Sequence, residues 1–225
     1  MSVVTPIRLN KREQLKSRQL AVNDHPSIFA DIYKEDINIA IWQRELSVDI
    51  KNCTHDLLQT HSNYQTSLIA TPDTVLNKLI ESESELNNAH ALCKDIAELV
   101  EMFCVLFGLE EAGLRLTTLD RAMCPRFHVD WVPCRLICTY HGVASEWLPH
   151  ETVDRNKLGQ ANNGLADEDS GLYNNKGNIK QLRAGYVAML KGERWDGNAG
   201  AGLVHRSPQV PSGENRLLLT LDFIS

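Results

Sequence analysis

The sequence predicts an α+β fold, an antiparallel sandwich or small barrel with one face covered by helices from the first half of the chain. Three observations lead there. Between residues 85 and 107 apolar side chains recur at spacings of three and four, the period of a helix with one buried stripe. Beyond Gly113 the pattern changes to short β-branched and aromatic runs separated by turn residues. No helical pattern intervenes between those runs, which argues against a doubly wound sheet. With 225 residues, 43% apolar and 23% charged, the chain has the size and composition of one folded domain. The expected division is a flexible N-terminal segment over residues 1–24 and a single globular domain over residues 25–225, helix-rich to residue 110 and β-rich from residue 111.

Ile37, Ile39 and Ile41 alternate with Asn38, Ala40 and Trp42, which predicts a strand with one strongly apolar face. Thr71-Pro72-Asp73 reads as a helix start, with Thr71 as N-cap, Pro72 at the first helical position and an acid near the positive end of the dipole. That helix runs to about Glu83. Leu86, Leu92, Ile96, Leu99 and Phe103 belong to the clearest helix, from Glu85 to Phe107, and Gly108 is its stop. Strands follow at residues 114–119, 126–131, 135–140, 186–190, 203–205 and 217–223. Residues 154–178 are rich in Gly, Asn and Asp and poor in apolar side chains, which predicts a mobile loop. The acidic run 167–169 within it lacks the alternating ligands of a calcium loop. The glycine-rich stretch 197–202 lacks the Gly-Lys-Ser/Thr ending of a phosphate cradle, and its glycines instead permit close backbone approach ahead of His205.

A formal charge of −6, from 23 basic and 29 acidic side chains, sets net repulsion against a phosphate backbone, so nucleic acid is not an expected partner. The longest nearly apolar run, residues 99–109, is far shorter than the roughly 20 residues a membrane helix needs. The first residues carry scattered basic groups and no apolar core of a secretory signal, so the chain is read as cytoplasmic. Its six cysteines include no C-x-x-C pair, which speaks for reduced thiols; Cys124, Cys134 and Cys138 cluster in sequence and offer a possible zinc contribution.

The most informative residues are His128 and Asp130. Side chains two apart on a strand point the same way, so this pair presents an imidazole and a carboxylate to one metal ion. His205 supplies a third ligand from near the chain end. Two histidines and one carboxylate on one face of an octahedral ion leave three positions open, an arrangement suited to non-haem iron(II) binding a co-substrate and dioxygen. Arg216 follows His205 by 11 residues and begins the last strand, where its guanidinium can anchor the distal carboxylate of 2-oxoglutarate. Taken singly, each of these residues also has an ordinary structural role.

His128-x-Asp130, then His205, then Arg216 resembles the iron(II)/2-oxoglutarate oxygenases. That resemblance implies a double-stranded β-helix, a jelly-roll or cupin-like barrel, over residues 111–225. It also implies iron(II) held by His128, Asp130 and His205, with 2-oxoglutarate as co-substrate and Arg216 as its anchor. Those enzymes often carry Ser or Thr two residues after the arginine; here Leu218 stands there, with Thr220 one strand repeat further on, and Tyr140 is the residue expected to complete the carboxylate site. The phrases around Cys124-Pro125-Arg126-Phe127-His128, Arg135–Tyr140, Glu146-Trp147-Leu148 and His205-Arg206-Ser207-Pro208 are also similar to a bacterial family described as a domain of unknown function. By that second resemblance the alternative is a non-catalytic metal-binding protein linked to bacterial zinc homeostasis. The primary substrate, a small molecule or a protein, is left open by the residues.

Overall fold

The computed structural model describes residues 17–81, 86, 89–159 and 164–224. Among these, ten strands make two sheets. The first elements are β1 (Gln19–Asn23), a 3-10 helix (Pro26–Tyr33) and β2 (Ile37–Trp42). Helix α1 (Val48–Thr60), strand β3 (Gln65–Ala70), and helices α2 (Val75–Glu81) and α3 (His90–Phe107) follow. The second half supplies β4 (Ala112–Leu119), β5 (Cys134–His141), β6 (Glu146–Leu148), β7 (Lys180–Gln181), β8 (Val187–Lys191), β9 (Val204–Arg206) and β10 (Arg216–Asp222). The large sheet runs β1-β2-β8-β5-β10-β4-β3, antiparallel except between β1 and β2; the small sheet runs β7-β6-β9. This is the expected α+β fold.

Helix α3 forms because its apolar positions make one continuous stripe: Leu92, Ile96, Leu99, Val100 and Phe103 are all fully buried against the sheet. It ends where predicted, at Gly108, whose φ of 65° is a left-handed cap that favours glycine. Residue 85, the expected start of this helix, lies outside the described residues, as does Glu83. At the predicted start of α2, Thr71 to Thr74 form a turn, and the helix begins at Val75.

Strand β2 departs from the expected one-sided pattern, because helices cover one face of the large sheet and the small sheet covers the other. Ala40 packs on the helix side and Ile39 and Ile41 on the small-sheet side, beside Ile137, Trp147, Leu190 and Leu203. Of the expected flexible segment, residues 1–16 lie outside the described residues, whereas Gln19–Asn23 form β1 at the sheet edge, paired with β2. Residues 126–131 do not form a strand; the segment makes a single bridge, His128 to His205, because the chain must turn back through residues 131–133 into β5. The segment expected to be a mobile loop is built from short 3-10 turns, and it buries Leu172 and Tyr173 against Phe127, Leu148 and Val204 behind the small sheet. Residues 160–163 of it are not described. No helix among the described residues is long and apolar enough to cross a membrane.

Two glycines allow close backbone approach, Gly192 against residues 130–132 and Gly202 against residues 192–193. A Cβ on Gly192 would collide with the Val132 carbonyl oxygen and lie 2.9 Å from that of Asp130, and one on Gly202 would lie 3.1 Å from the Glu193 nitrogen. Gly192→Ala is therefore expected to destabilise the protein by about 1–3 kcal/mol through forced backbone displacement. The midpoint of urea unfolding measures this, and an unchanged midpoint would show that the turn yields freely.

Candidate metal centre

His128 and His205 are joined through their main chains: each amide donates to the other's carbonyl, at 3.0 and 2.9 Å, so their rings sit side by side with centroids 4.6 Å apart. Asp130 reaches the same point from the turn that follows. Its Oδ1 lies 3.7 Å from His128 Nε2 and its Oδ2 lies 3.4 Å from His205 Nε2. One ligand atom from each of the three falls within 4.8 Å of the others, and among the described residues no other His, Cys, Asp and Glu group has this geometry.

The tautomers suit a metal. His128 Nδ1 is 2.9 Å from the Arg126 carbonyl oxygen and His205 Nδ1 is 3.2 Å from that of Leu203. A carbonyl can only accept, so each Nδ1 carries the proton and each Nε2 turns a lone pair toward Asp130. Burial and the neighbouring His205 ring lower the His128 pKa, which favours the neutral ligand form. Burial works to raise the Asp130 pKa, but the adjacent His205 and the cationic Arg135 hold it well below the usual carboxylate range.

Arg135 donates to Asp130 Oδ2 at 2.9 Å and to both oxygens of Asp222 at 2.7 and 3.0 Å, fixing the Asp130 carboxylate from behind. Asp167, almost wholly buried, accepts from the Phe127 amide at 2.8 Å and lies near Arg126 and Arg206. It therefore holds the chain one residue before His128. Arg206 ion-pairs with Glu146 at 2.7 Å and stacks 4.3 Å over the Phe127 ring.

On β10, side chains alternate: Leu217, Leu219 and Leu221 join the helix-side core, while Arg216, Leu218, Thr220 and Asp222 face the small sheet. Leu218 and Thr220 line a cavity together with His128, His205, Ser145 and Ser207. Arg216 lies behind the two serines, 1% exposed. It donates to Ser145 Oγ at 2.7 Å, Thr139 Oγ1 at 3.2 Å and Ser207 Oγ at 3.3 Å, while its Nε has no partner among the described residues. No carboxylate among the described residues pairs with it, and burial alone pulls its pKa down to about 10. A guanidinium buried without a counter-ion is costly, and an anion placed against it would offset that cost.

Tyr140 does not join the site. It is five residues from Arg135 on β5, so the two must face opposite sides of the sheet, and its hydroxyl donates to Asp95 Oδ2 at 2.5 Å in the helix-side core. There Asp95 also binds Arg44 through two bonds of 2.6 and 2.8 Å. The hydroxyls around Arg216 come instead from Thr139, Ser145 and Ser207. Of these, Ser207 is legible in sequence as an orienting group just after His205, Thr139 is legible from strand parity with Arg135, and Ser145 carries no sequence signal. The three clustered cysteines do not converge either. Cys134 and Cys138 are fully buried on the helix side, where burial pushes the Cys138 thiol up to about 12, and Cys124 is exposed at the rim of the cavity. Cys134 and Cys138 are thus buried small hydrophobes, and the three cysteines form no shared zinc site. Trp131 is 74% exposed, Trp147 packs between the sheets and Trp195 packs by Phe107, so none of these tryptophans lines the cavity.

The chain is similar in structure to a rice dioxygenase for auxin oxidation, at 8% identity and a TM-score of 0.51, over 92% of this chain and 83% of that one. The dioxygenase for auxin oxidation 1 of Arabidopsis thaliana, solved with 2-oxoglutarate, gives 11% identity and a TM-score of 0.49 over 92% of both chains. A Pseudomonas putida prolyl-4-hydroxylase gives 11% and 0.42, over 88% of this chain and 96% of that one. The rice enzyme shares the fold; identities this low show nothing further. No curated protein sequence matches the chain. A family model does, over residues 23–222, and the chain belongs to that family, described as "Protein of unknown function (DUF1826)".

Proposed function

We propose that the protein is an iron(II)/2-oxoglutarate-dependent oxygenase, in which His128, Asp130 and His205 hold the metal and Arg216 binds the far carboxylate of 2-oxoglutarate. In this reading the two sheets are the two halves of a double-stranded β-helix. The observation that carries it is the pairing of two features beside one cavity: three convergent ligand atoms within 4.8 Å and, behind the serines of the wall, a buried guanidinium left without a carboxylate among the described residues. The donor set fits iron(II), since two neutral Nε2 atoms and one carboxylate occupy one side of an ion and leave the other side open. Iron bound there would supply dioxygen activation coupled to decarboxylation of 2-oxoglutarate to succinate and carbon dioxide. The chain's own part is to orient and to exclude water. Arg126 and Leu203 carbonyls fix the imidazoles, Arg135 fixes Asp130, and the three hydroxyls keep the Arg216 fork aimed at its ligand.

The test is to load the protein with iron(II) and 2-oxoglutarate without oxygen, admit air and measure succinate. Wild type should form it even with no primary substrate, and His205→Ala should not. Metal retained with no succinate would favour the non-catalytic metal-binding alternative; no metal affinity would overturn both. A second prediction concerns support from outside the ligand set. Asp167→Ala frees the buried Phe127 amide next to His128, and metal affinity should fall by about tenfold, measured by competition with a chromogenic chelator. Unaltered affinity would show that the His128–His205 bridge suffices.

A further inference from the structure

Arg135 is held by Asp130 and Asp222 and Arg206 by Glu146, while Arg216 behind the cavity wall is held by three hydroxyls; a third arginine lining the cavity has no such partner among the described residues. Arg115 stands on β4 with Thr117, two residues apart and so on one face, and both line the cavity that His128 and His205 line. Its cross-strand neighbours are Thr220 on β10 and Ser67 on β3, neither of them acidic. Among the described residues no carboxylate lies at ion-pair distance from it.

Thr117 gives an independent sign of a ligand. It is 6% exposed, and its Oγ1 is a buried hydroxyl with no hydrogen-bond partner among the described residues. Buried polar groups left unpaired are uncommon because they forfeit their hydrogen bonds to water. Arg115 and Thr117 also line an adjoining, more open cavity with Gln65 and Arg121, so a molecule entering from that side meets both before it reaches the histidines. In a chain of net charge −6, an uncompensated cation beside an unpaired hydroxyl on a cavity wall is the arrangement that receives an oxyanion.

We infer that Arg115 and Thr117 form a second anion subsite, separate from Arg216, that takes a carboxylate or phosphate group of the primary substrate. Naming that ligand the substrate rests on the oxygenase reading; the subsite itself rests on the two side chains.

The experiment is a 19F NMR titration of the zinc-loaded full-length protein with saturating 2-oxoglutarate present. The probes are 4-fluorobenzoate, 4-fluorophenyl phosphate and the uncharged 4-fluorobenzamide. At least one anion should bind roughly tenfold or more tighter than the amide, and which one does so tells carboxylate from phosphate. Arg115→Gln should weaken that anion by about tenfold, Arg115→Lys should recover part of the loss, and Thr117→Val, which keeps the shape, should weaken it several-fold. Arg115 is exposed, so its variants test binding rather than folding. Equal binding of anions and amide, no binding of either anion in the presence of 2-oxoglutarate, or anion binding indifferent to Arg115→Gln would each overturn the proposal. Succinate formation by the unaltered protein reads the oxygenase assignment by itself, so its failure with the titration intact would sink that assignment and leave the subsite standing.

Discussion

Asp130→Asn should lower metal affinity by roughly a hundredfold or more, beyond the loss usual for an outer partner, while leaving the protein folded. The substitution keeps the side chain's size and removes its charge, so a divalent ion held by this set would lose its only anionic side-chain ligand. Both imidazoles stay in place, because their Nδ1 atoms are tied to main-chain carbonyls and their main chains to each other. Arg135 keeps its two bonds to Asp222, so no buried cation is stranded. The effect therefore isolates the carboxylate. Chelator competition measures it, with circular dichroism as the check on folding; affinity within about threefold of wild type, well inside the change expected for an outer partner, would show that Asp130 serves only as the partner of Arg135.

Arg216→Met is the second large effect, and its two parts have opposite signs. The guanidinium is 1% exposed, receives no carboxylate among the described residues and leaves Nε without a partner. An apolar side chain of similar length removes that buried charge, so the ligand-free protein should gain about 2 kcal/mol and melt about 4–8 °C higher. The released hydroxyls of Thr139, Ser145 and Ser207 subtract from that gain but carry no charge. Conversely, 2-oxoglutarate should raise the melting temperature of metal-loaded wild type and leave that of Arg216→Met unmoved. A variant that melts lower than wild type would mean that Arg216 is a structural post, and a variant still stabilised by 2-oxoglutarate would place the co-acid elsewhere.

The fold is legible in the sequence where local pattern and burial agree. The stripe of α3 and the apolar runs of β4, β5, β8 and β10 are long enough to carry their own period. Strand β3 has no such signal, because Gln65-Thr66-Ser67 is polar and its apolar contacts are made only in the folded sheet. Helix α1 is equally silent: most of its side chains are polar, Leu57 and Leu58 are its buried aliphatic pair, and the Ser47 cap that starts it accepts from the Ile50 amide, a signal carried by one side chain. The site is legible in its chemistry more than in its backbone. His128 and Asp130 converge as their spacing suggests, yet through one bridge and a turn rather than a strand. Arg216, Leu218 and Thr220 share a face as parity requires, and the same parity rule excludes Tyr140 once Arg135 is placed on the site side.

The reciprocal amide bonds between His128 and His205 also bear on how such a centre comes into being. The distance between the two rings is set through the main chain, so an arriving ion would find its berth already assembled and need not gather loose strands around itself. Emptying and refilling should therefore be reversible without passage through an unfolded chain, and chelated protein should keep its shape in storage.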